Sequence, residues 1–274
     1  MINEQHPTKI AFVGDVHGQT AQMLHACVTA HNHGATHILQ LGDFGIWDKD
    51  TEFLNTVNKY LQDNAMQLYF IDGNHENFPR LYAHPLAEDG TRSVRTNIHH
   101  LPRGFVFTWD DFTFMAMGGA YSIDRRFRTL NRDFWTEELI TDNDIATARA
   151  NAKGRVIDVL LTHDSPAGAP NSITDDLASQ AKAAWFFGEN HLEGCNEHRE
   201  RLRLVAQAAD PAFIAHGHYH KYMSGVYTQP SGKKTVVLGL DEGTAATFRY
   251  IWVTTIDELK VYRPKAQRLA ERSA

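Results

Sequence analysis

Cysteine is nearly absent from this sequence. Cys27 and Cys195 are the only two in 274 residues, far apart and without a close Cys neighbour. That speaks against a disulfide framework and leads us to expect a reducing, cytoplasmic home. No apolar stretch approaches the ~18 residues needed to cross a bilayer. The N-terminal MINEQHPTKIAFVGD has no basic region followed by an apolar core, so neither a membrane partner nor a secretory leader is expected. Positive charge is also short: 27 Lys and Arg against 33 Asp and Glu leave a net charge of −6. Such a balance offers no broad electrostatic grip on a nucleic-acid backbone, although bound divalent cations could still attract a phosphorylated substrate. Repeats, low-complexity segments and linker-like stretches are missing too, so no internal domain boundary is expected.

What is present is an ordinary globular composition, 42% hydrophobic and 22% charged, in a chain long enough to bury a sizeable core. The first third alternates apolar runs with helical periodicity. IAFVG (10–14), HILQLG (37–42) and QLYFIDG (67–73) read as strands, with helices over residues 20–33 and 51–64 between them. Strands about thirty residues apart with intervening helices imply βαβ units and parallel pairing. The middle reads FVFTW and FTFMAMGG around an Asp110–Asp111 turn, a hairpin signature. RVIDVLLTH (155–163), FIAHGH (213–218) and KTVVLGL (234–240) are further apolar strands, and 247–255 with 258–264 suggest a second hairpin. The expected fold class is therefore α/β, with two sheets, the second largely antiparallel, and helices outside. Residues 1–265 are expected to form a single domain and 266–274 a tail. Residues 164–212, with helical stretches over 174–187 and 196–209, are either a partial cap over the site or an ordinary crossover.

Five strand ends carry metal-friendly side chains: GDVHG (14–18), GD (42–43), GNHE (73–76), LTH (161–163) and GHYH (217–220). In parallel sheets these carboxyl ends face the ligand crevice. Asp15, His17, Asp43, Asn74, His163, His218 and His220 would gather at one rim, too many ligands for one ion and about right for two. Asp43, the single ligand of its segment, is the candidate to bridge them with its two carboxylate oxygens. Mixed carboxylate, amide and imidazole donors with no thiolate suit Mn²⁺ first, or Fe, Zn²⁺ or Ni²⁺. Each motif alone is weak, since three fixed positions recur by chance about once in several thousand start points. Five in order, each at a strand end, are specific.

In these motifs the chain resembles the calcineurin-like metallophosphoesterase superfamily, whose pattern is GDxHG, GDxxD, GNHE, a lone His and GHxH. The resemblance implies a four-layer α-β-β-α sandwich with two mixed sheets. It implies one metal on Asp15, His17, Asp43 and His220 and another on Asp43, Asn74, His163 and His218, with a bridging hydroxide as nucleophile. His75 looks like the general acid for the leaving group in this family, the alternative being substrate positioning alone. The second motif departs from the GDxxDRG of protein serine/threonine phosphatases, because Ile46 and Trp47 replace its Asp and Arg. Asp48 then becomes a candidate to orient His75. Arg125 and Arg126 in GGAYSIDRR become candidates to hold substrate phosphate, or else belong to a solvated basic loop. The expected function is a phosphodiesterase or small-molecule phosphatase acting on a phosphorylated small molecule or nucleotide. A protein phosphatase and a non-catalytic scaffold are the competing readings, and oligomeric state is left open.

Overall fold

The computed structural model of the chain describes residues 1–170 and 177–263. In chain order its elements are Lys9–Val13 (β1), Thr20–Asn32 (α1), His37–Gln40 (β2), Thr51–Asp63 (α2), Gln67–Phe70 (β3), Phe78–Ala83 (α3), Arg92–Arg95 (β4) and Ile98–His100 (β5). Val106–Trp109 (β6), Phe112–Met117 (β7), Asp142–Ala152 (α4), Val159–Thr162 (β8), Leu177–Phe187 (α5) and Glu189–Ala209 (α6) follow. Phe213–His216 (β9), Met223–Thr228 (β10), Lys234–Gly239 (β11), Thr247–Tyr250 (α7), Ile251–Thr255 (β12) and Ile256–Lys260 (α8) complete the fold.

The strands form two sheets of six, ordered β12-β1-β2-β3-β5-β4 and β10-β11-β9-β8-β7-β6. Side-chain alternation shows why they stack. On β1, Ala11 and Val13 pack against α1 and α2 with Met23, Ala26, Leu54 and Val57. Ile10 and Phe12 face the other way and meet Phe114, Leu161 and Phe213 of the second sheet. On β8 the pattern repeats: Val159 and Leu161 join the inter-sheet core, whereas Leu160 packs with Ala148 of α4 and Leu202 and Val205 of α6. Three apolar interfaces separate four layers, an α-β-β-α sandwich with two mixed sheets. Each fully buried Phe, Leu or Ile on these interfaces contributes about 1.5–3 kcal/mol of burial.

Two details differ from the sequence reading. The second sheet is not largely antiparallel: β7, β8, β9 and β11 pair in parallel, and only β6 and β10 at its edges run antiparallel. The helices α4 and α5–α6 supply the long crossovers that parallel pairing requires. The second hairpin does not form either. Thr255 caps α8 reciprocally with Glu258, its hydroxyl accepting from the Glu258 amide while the Glu258 carboxylate accepts from the Thr255 amide. A Thr-x-x-Glu capping box starts a helix where a returning strand was expected. Strand β12 pairs instead with β1.

The described part of the segment 164–212 contains a crossover helix. Leu202, Val205 and Ala206 bury α6 against the second sheet as a crossover helix. Helix α5 packs on α6 and brings Phe186 to 5.9 Å from Phe127, ring to ring. The expected helical residues 174–176, and the tail 266–274, lie outside the described residues. No described helix is long and apolar enough to cross a membrane.

Candidate metal centre

Every predicted ligand leaves the carboxyl end of a parallel strand: Asp15 and His17 after β1, Asp43 after β2, Asn74 after β3, His163 after β8, and His218 and His220 after β9. Close approach of these loops demands glycine. A Cβ on Gly73 would stand 2.1 Å from Asp43 Oδ1, and one on Gly42, whose φ is +93°, would stand 2.4 Å from His163 Nδ1. The ligands themselves carry backbone strain. His17 (φ 47°), Asp43 (53°), His218 (70°) and His220 (47°) all occupy the left-handed region that non-glycine residues avoid. Such outliers cost of order 1–3 kcal/mol each and persist where surrounding contacts over-determine them.

The loops converge on Asp43. One of its oxygens, Oδ1, accepts a hydrogen bond from the His75 amide at 2.9 Å. The other, Oδ2, lies 3.3 Å from His163 Nε2 and 3.9 Å from both His17 Nδ1 and His75 Nε2. Donor atoms of Asp15, His17, Asp43 and His220 lie within 4.8 Å of one another. Asp15 sits 3.1 Å from His220 Nε2 and accepts the His218 amide. His163 Nε2 lies 3.1 Å from Asn74 Oδ1, and the rings of His163 and His218 are 5.0 Å apart.

This donor set fits divalent cations. The Leu41 carbonyl can only accept, so His163 Nδ1 is its donor at 2.7 Å, and the Nε2 of a neutral ring carries a lone pair. That lone pair faces the oxygens of Asp43 and Asn74, which are acceptors too, and only a proton or a cation between them relieves the repulsion. His17 Nε2 and His220 Nε2 lie 3.0 Å apart beside Asp15. The electrostatics point the same direction. Burial pushes His163 toward the neutral form, but Asp43 and Asp15 override it and raise its pKa to about 10. His218, buried and far less favoured by its neighbours, falls to about 4 and stays a neutral imidazole suited to ligation. The carboxylates that favour a proton on His163 would favour a cation in the same place.

The model of the family described as calcineurin-like phosphoesterase matches residues 8–222, most of the chain. The chain belongs to that family. No curated protein matches it. Among solved structures, a dimetal phosphatase from Danio rerio is 13% identical, covering 91% of this chain and 93% of its own, with a TM-score of 0.52. The protein TT1561 of Thermus thermophilus is 8% identical, covering 91% and 99%, with a TM-score of 0.50. At such identities the likeness concerns the fold alone.

The remaining predicted residues fall differently. His75 stands at the edge of the cluster, where its Nε2 meets Arg128 Nη2 at 3.1 Å. Burial lowers its pKa, with Asp43 opposing and Arg128 reinforcing the shift. Asp48 does not orient it, because its carboxylate accepts from Asn77 Nδ2 at 2.7 Å. Arg125 is committed elsewhere: Nε and Nη2 bind Glu138 Oε1 at 2.9 and 2.5 Å, and its guanidinium stacks 3.8 Å over Tyr121. Arg126 packs over Phe127 and Phe186. Two arginines beyond the stretch singled out in the sequence, Arg128 and Arg132, line the cleft beside His75.

Three supporting residues were missed. Glu76, the last letter of GNHE, is fully buried and accepts from the amides of Phe44, Gly45 and Gly73, tying the second and third ligand loops together. Ser122 accepts from Asn74 Nδ2 at 3.0 Å and donates to Glu138 Oε2 at 2.9 Å, which turns Asn74 Oδ1 toward His163. Glu138 is held in turn by Arg125, so that arginine stands three contacts behind a ligand. The motif string advertised Glu76, whereas nothing local marks Ser122 or Glu138.

Proposed function

We propose that this phosphoesterase hydrolyses phosphate esters, as a phosphodiesterase or small-molecule phosphatase, using two divalent ions with Mn²⁺ the first choice. Asp15, His17, Asp43 and His220 would hold one ion, and Asp43, Asn74, His163 and His218 the other. The observation that carries this reading is Asp43 Oδ2, which lies among three imidazoles while Oδ1 is pinned by the His75 amide. When bound, the ions would supply an activated water as nucleophile and neutralise charge on the phosphoryl oxygens.

The chain's own residues supply the rest. Arg128 presents a guanidinium beside the ligand cluster, the geometry that grips phosphate oxygens. An arriving phosphate competes with His75 Nε2 and the Asp124 carboxylate for the Arg128 Nη2 donors. Once released, Nε2 takes up the proton that His75 delivers to the leaving oxygen. Ile46, where protein phosphatases carry Asp, is fully buried in the core between the first sheet and its helices and can do no polar work. This favours a small substrate over a phosphoprotein.

The test is turnover of bis-p-nitrophenyl phosphate, p-nitrophenyl phosphate and a phosphopeptide by metal-stripped protein resupplied with Mn²⁺. The expected result is Mn²⁺-dependent turnover of one or both small esters. Activity on the phosphopeptide alone would overturn it, and metal uptake without any turnover would favour a scaffold.

A further inference from the structure

Trp47 stands where the protein phosphatases carry the arginine of GDxxDRG, and the structure gives it a defined seat. Its indole N–H donates to the His75 carbonyl at 2.9 Å. Its six-membered ring lies against Gly18, where an added Cβ would come within 3.2 Å of Cε3 and Cζ3. The ring is thus held at an edge and on one side, yet 41% of the residue is exposed. It walls a cleft of about 420 Å³ shared with Lys49, His75, Arg128, Arg132 and Trp135. That size lies within the ~300–1,000 Å³ typical of small-ligand sites.

The charged groups around the cleft are mostly paired, and among the described residues one cation is left over. Arg128 pairs with Asp124 at 2.8 Å and Arg132 with Asp133 at 3.1 Å, and Asp48 accepts from Asn77. Lys49 has no ion-pair partner among the described residues. Because His75 forms the wall between cleft and ligand cluster, the cleft lies on the side to which a general acid delivers its proton.

We propose that this cleft is the leaving-group subsite and that the leaving group is a nucleotide, its base stacked on Trp47 and its phosphate met by Lys49 and Arg132. The proposal rests on the hydrolase reading above and specifies its substrate: a phosphate ester whose leaving oxygen belongs to a nucleotide. In the reaction the water oxygen bonds to phosphorus as the bond from phosphorus to that oxygen breaks. The nucleotide oxygen takes the His75 proton, and the proton shed by water passes to solvent.

AMP and ribose 5-phosphate, titrated calorimetrically into the intact metal-stripped protein, read the subsite without requiring turnover. The expected result is tighter binding of AMP. Trp47→Leu should then weaken AMP roughly 5- to 150-fold, the range of one base-on-ring stack, and ribose 5-phosphate several-fold less. Trp47→Phe, which keeps a ring over Gly18, should retain most of the discrimination. Lys49→Ala should weaken both ligands by a similar factor. Equal affinity of the wild type for AMP and ribose 5-phosphate overturns the proposal even if a Trp47 variant fails to fold, and so does an equal loss for both ligands in Trp47→Leu. Mn²⁺-supported cleavage of bis-p-nitrophenyl phosphate reports separately on the hydrolase reading. Cleavage without base discrimination sinks the nucleotide subsite alone, whereas base discrimination without cleavage sinks the hydrolase reading and leaves the subsite.

Discussion

The two sheets share a plan, a parallel centre between antiparallel edges, but their rims differ in chemistry. The first sheet brings all of the oxygen and one imidazole: Asp15, His17, Asp43 and Asn74 follow β1, β2 and β3. The second brings nitrogen: His163, His218 and His220 end β8 and β9. Neither rim is tolerable alone. Asp15 and Asp43 are buried to 1% exposure or less, and an unpaired buried carboxylate costs several kcal/mol. Facing imidazoles offset that cost only in part, and the lone pairs left pointing at one another define where a cation belongs. The contrast teaches that the site is a property of the sheet-to-sheet interface and not of either βαβ half.

The sharpest way to break this pairing is at Asp43, where the rims meet. Asp43→Asn removes the shared charge and should lower Mn²⁺-supported turnover by about three orders of magnitude, some 4 kcal/mol of transition-state stabilisation. Retention of most activity in steady-state assays would refute a bridging role.

A second carboxylate tests whether the oxygen rim also holds structure. Asp72, following β3, binds Arg103 Nη2 at 2.6 Å and His100 at 3.1 Å, while its carbonyl accepts from Gly119 across the sandwich. Burial alone would raise its pKa, but Arg103 and His100 more than offset this and hold the carboxyl well below its usual range. A carboxyl depressed on folding contributes stability above its unfolded value near ~4 and loses it as pH falls toward the folded one. Asp72→Asn should therefore cost about 3–5 kcal/mol at neutral pH in urea denaturation. The gap to wild type should narrow progressively below about pH 4, and a gap that widens on acidification would contradict the assignment.

The mildest change sharpens the comparison. Ser122→Ala leaves both rims in place but frees the Asn74 amide to turn. Calorimetric titration should find Mn²⁺ bound about 10–100-fold more weakly, the usual effect of losing a residue that orients a ligand. An unchanged affinity would mean that Asn74 holds itself in place.

Much of this was legible along the chain because it is local. A glycine followed by Asp or Asn at the end of an apolar run marks the ends of β1, β2 and β3 whatever lies elsewhere, and the apolar runs before His163 and Gly217 mark β8 and β9. Helix α3 and strands β4 and β5 could not, because RLYAHPLAED and RSVRTNIHH mix polar and apolar residues without a clean period. Helix α8 was hidden for a different reason: its capping box was in view, but ELKVYRP also alternates like a strand.

The sequence by itself determined the motifs, their order and the parallel βαβ units of the first sheet, since these depend on periodicity and backbone freedom over a few residues. Only the tertiary structure decided that Arg128 rather than Arg125 or Arg126 meets His75, that Trp47 walls the cleft, and that Ser122 steers Asn74. Those assignments join residues 28 to 53 positions apart. Which of three nearby arginines turns inward depends on partners such as Glu138 and Phe186, which the fold alone brings within reach.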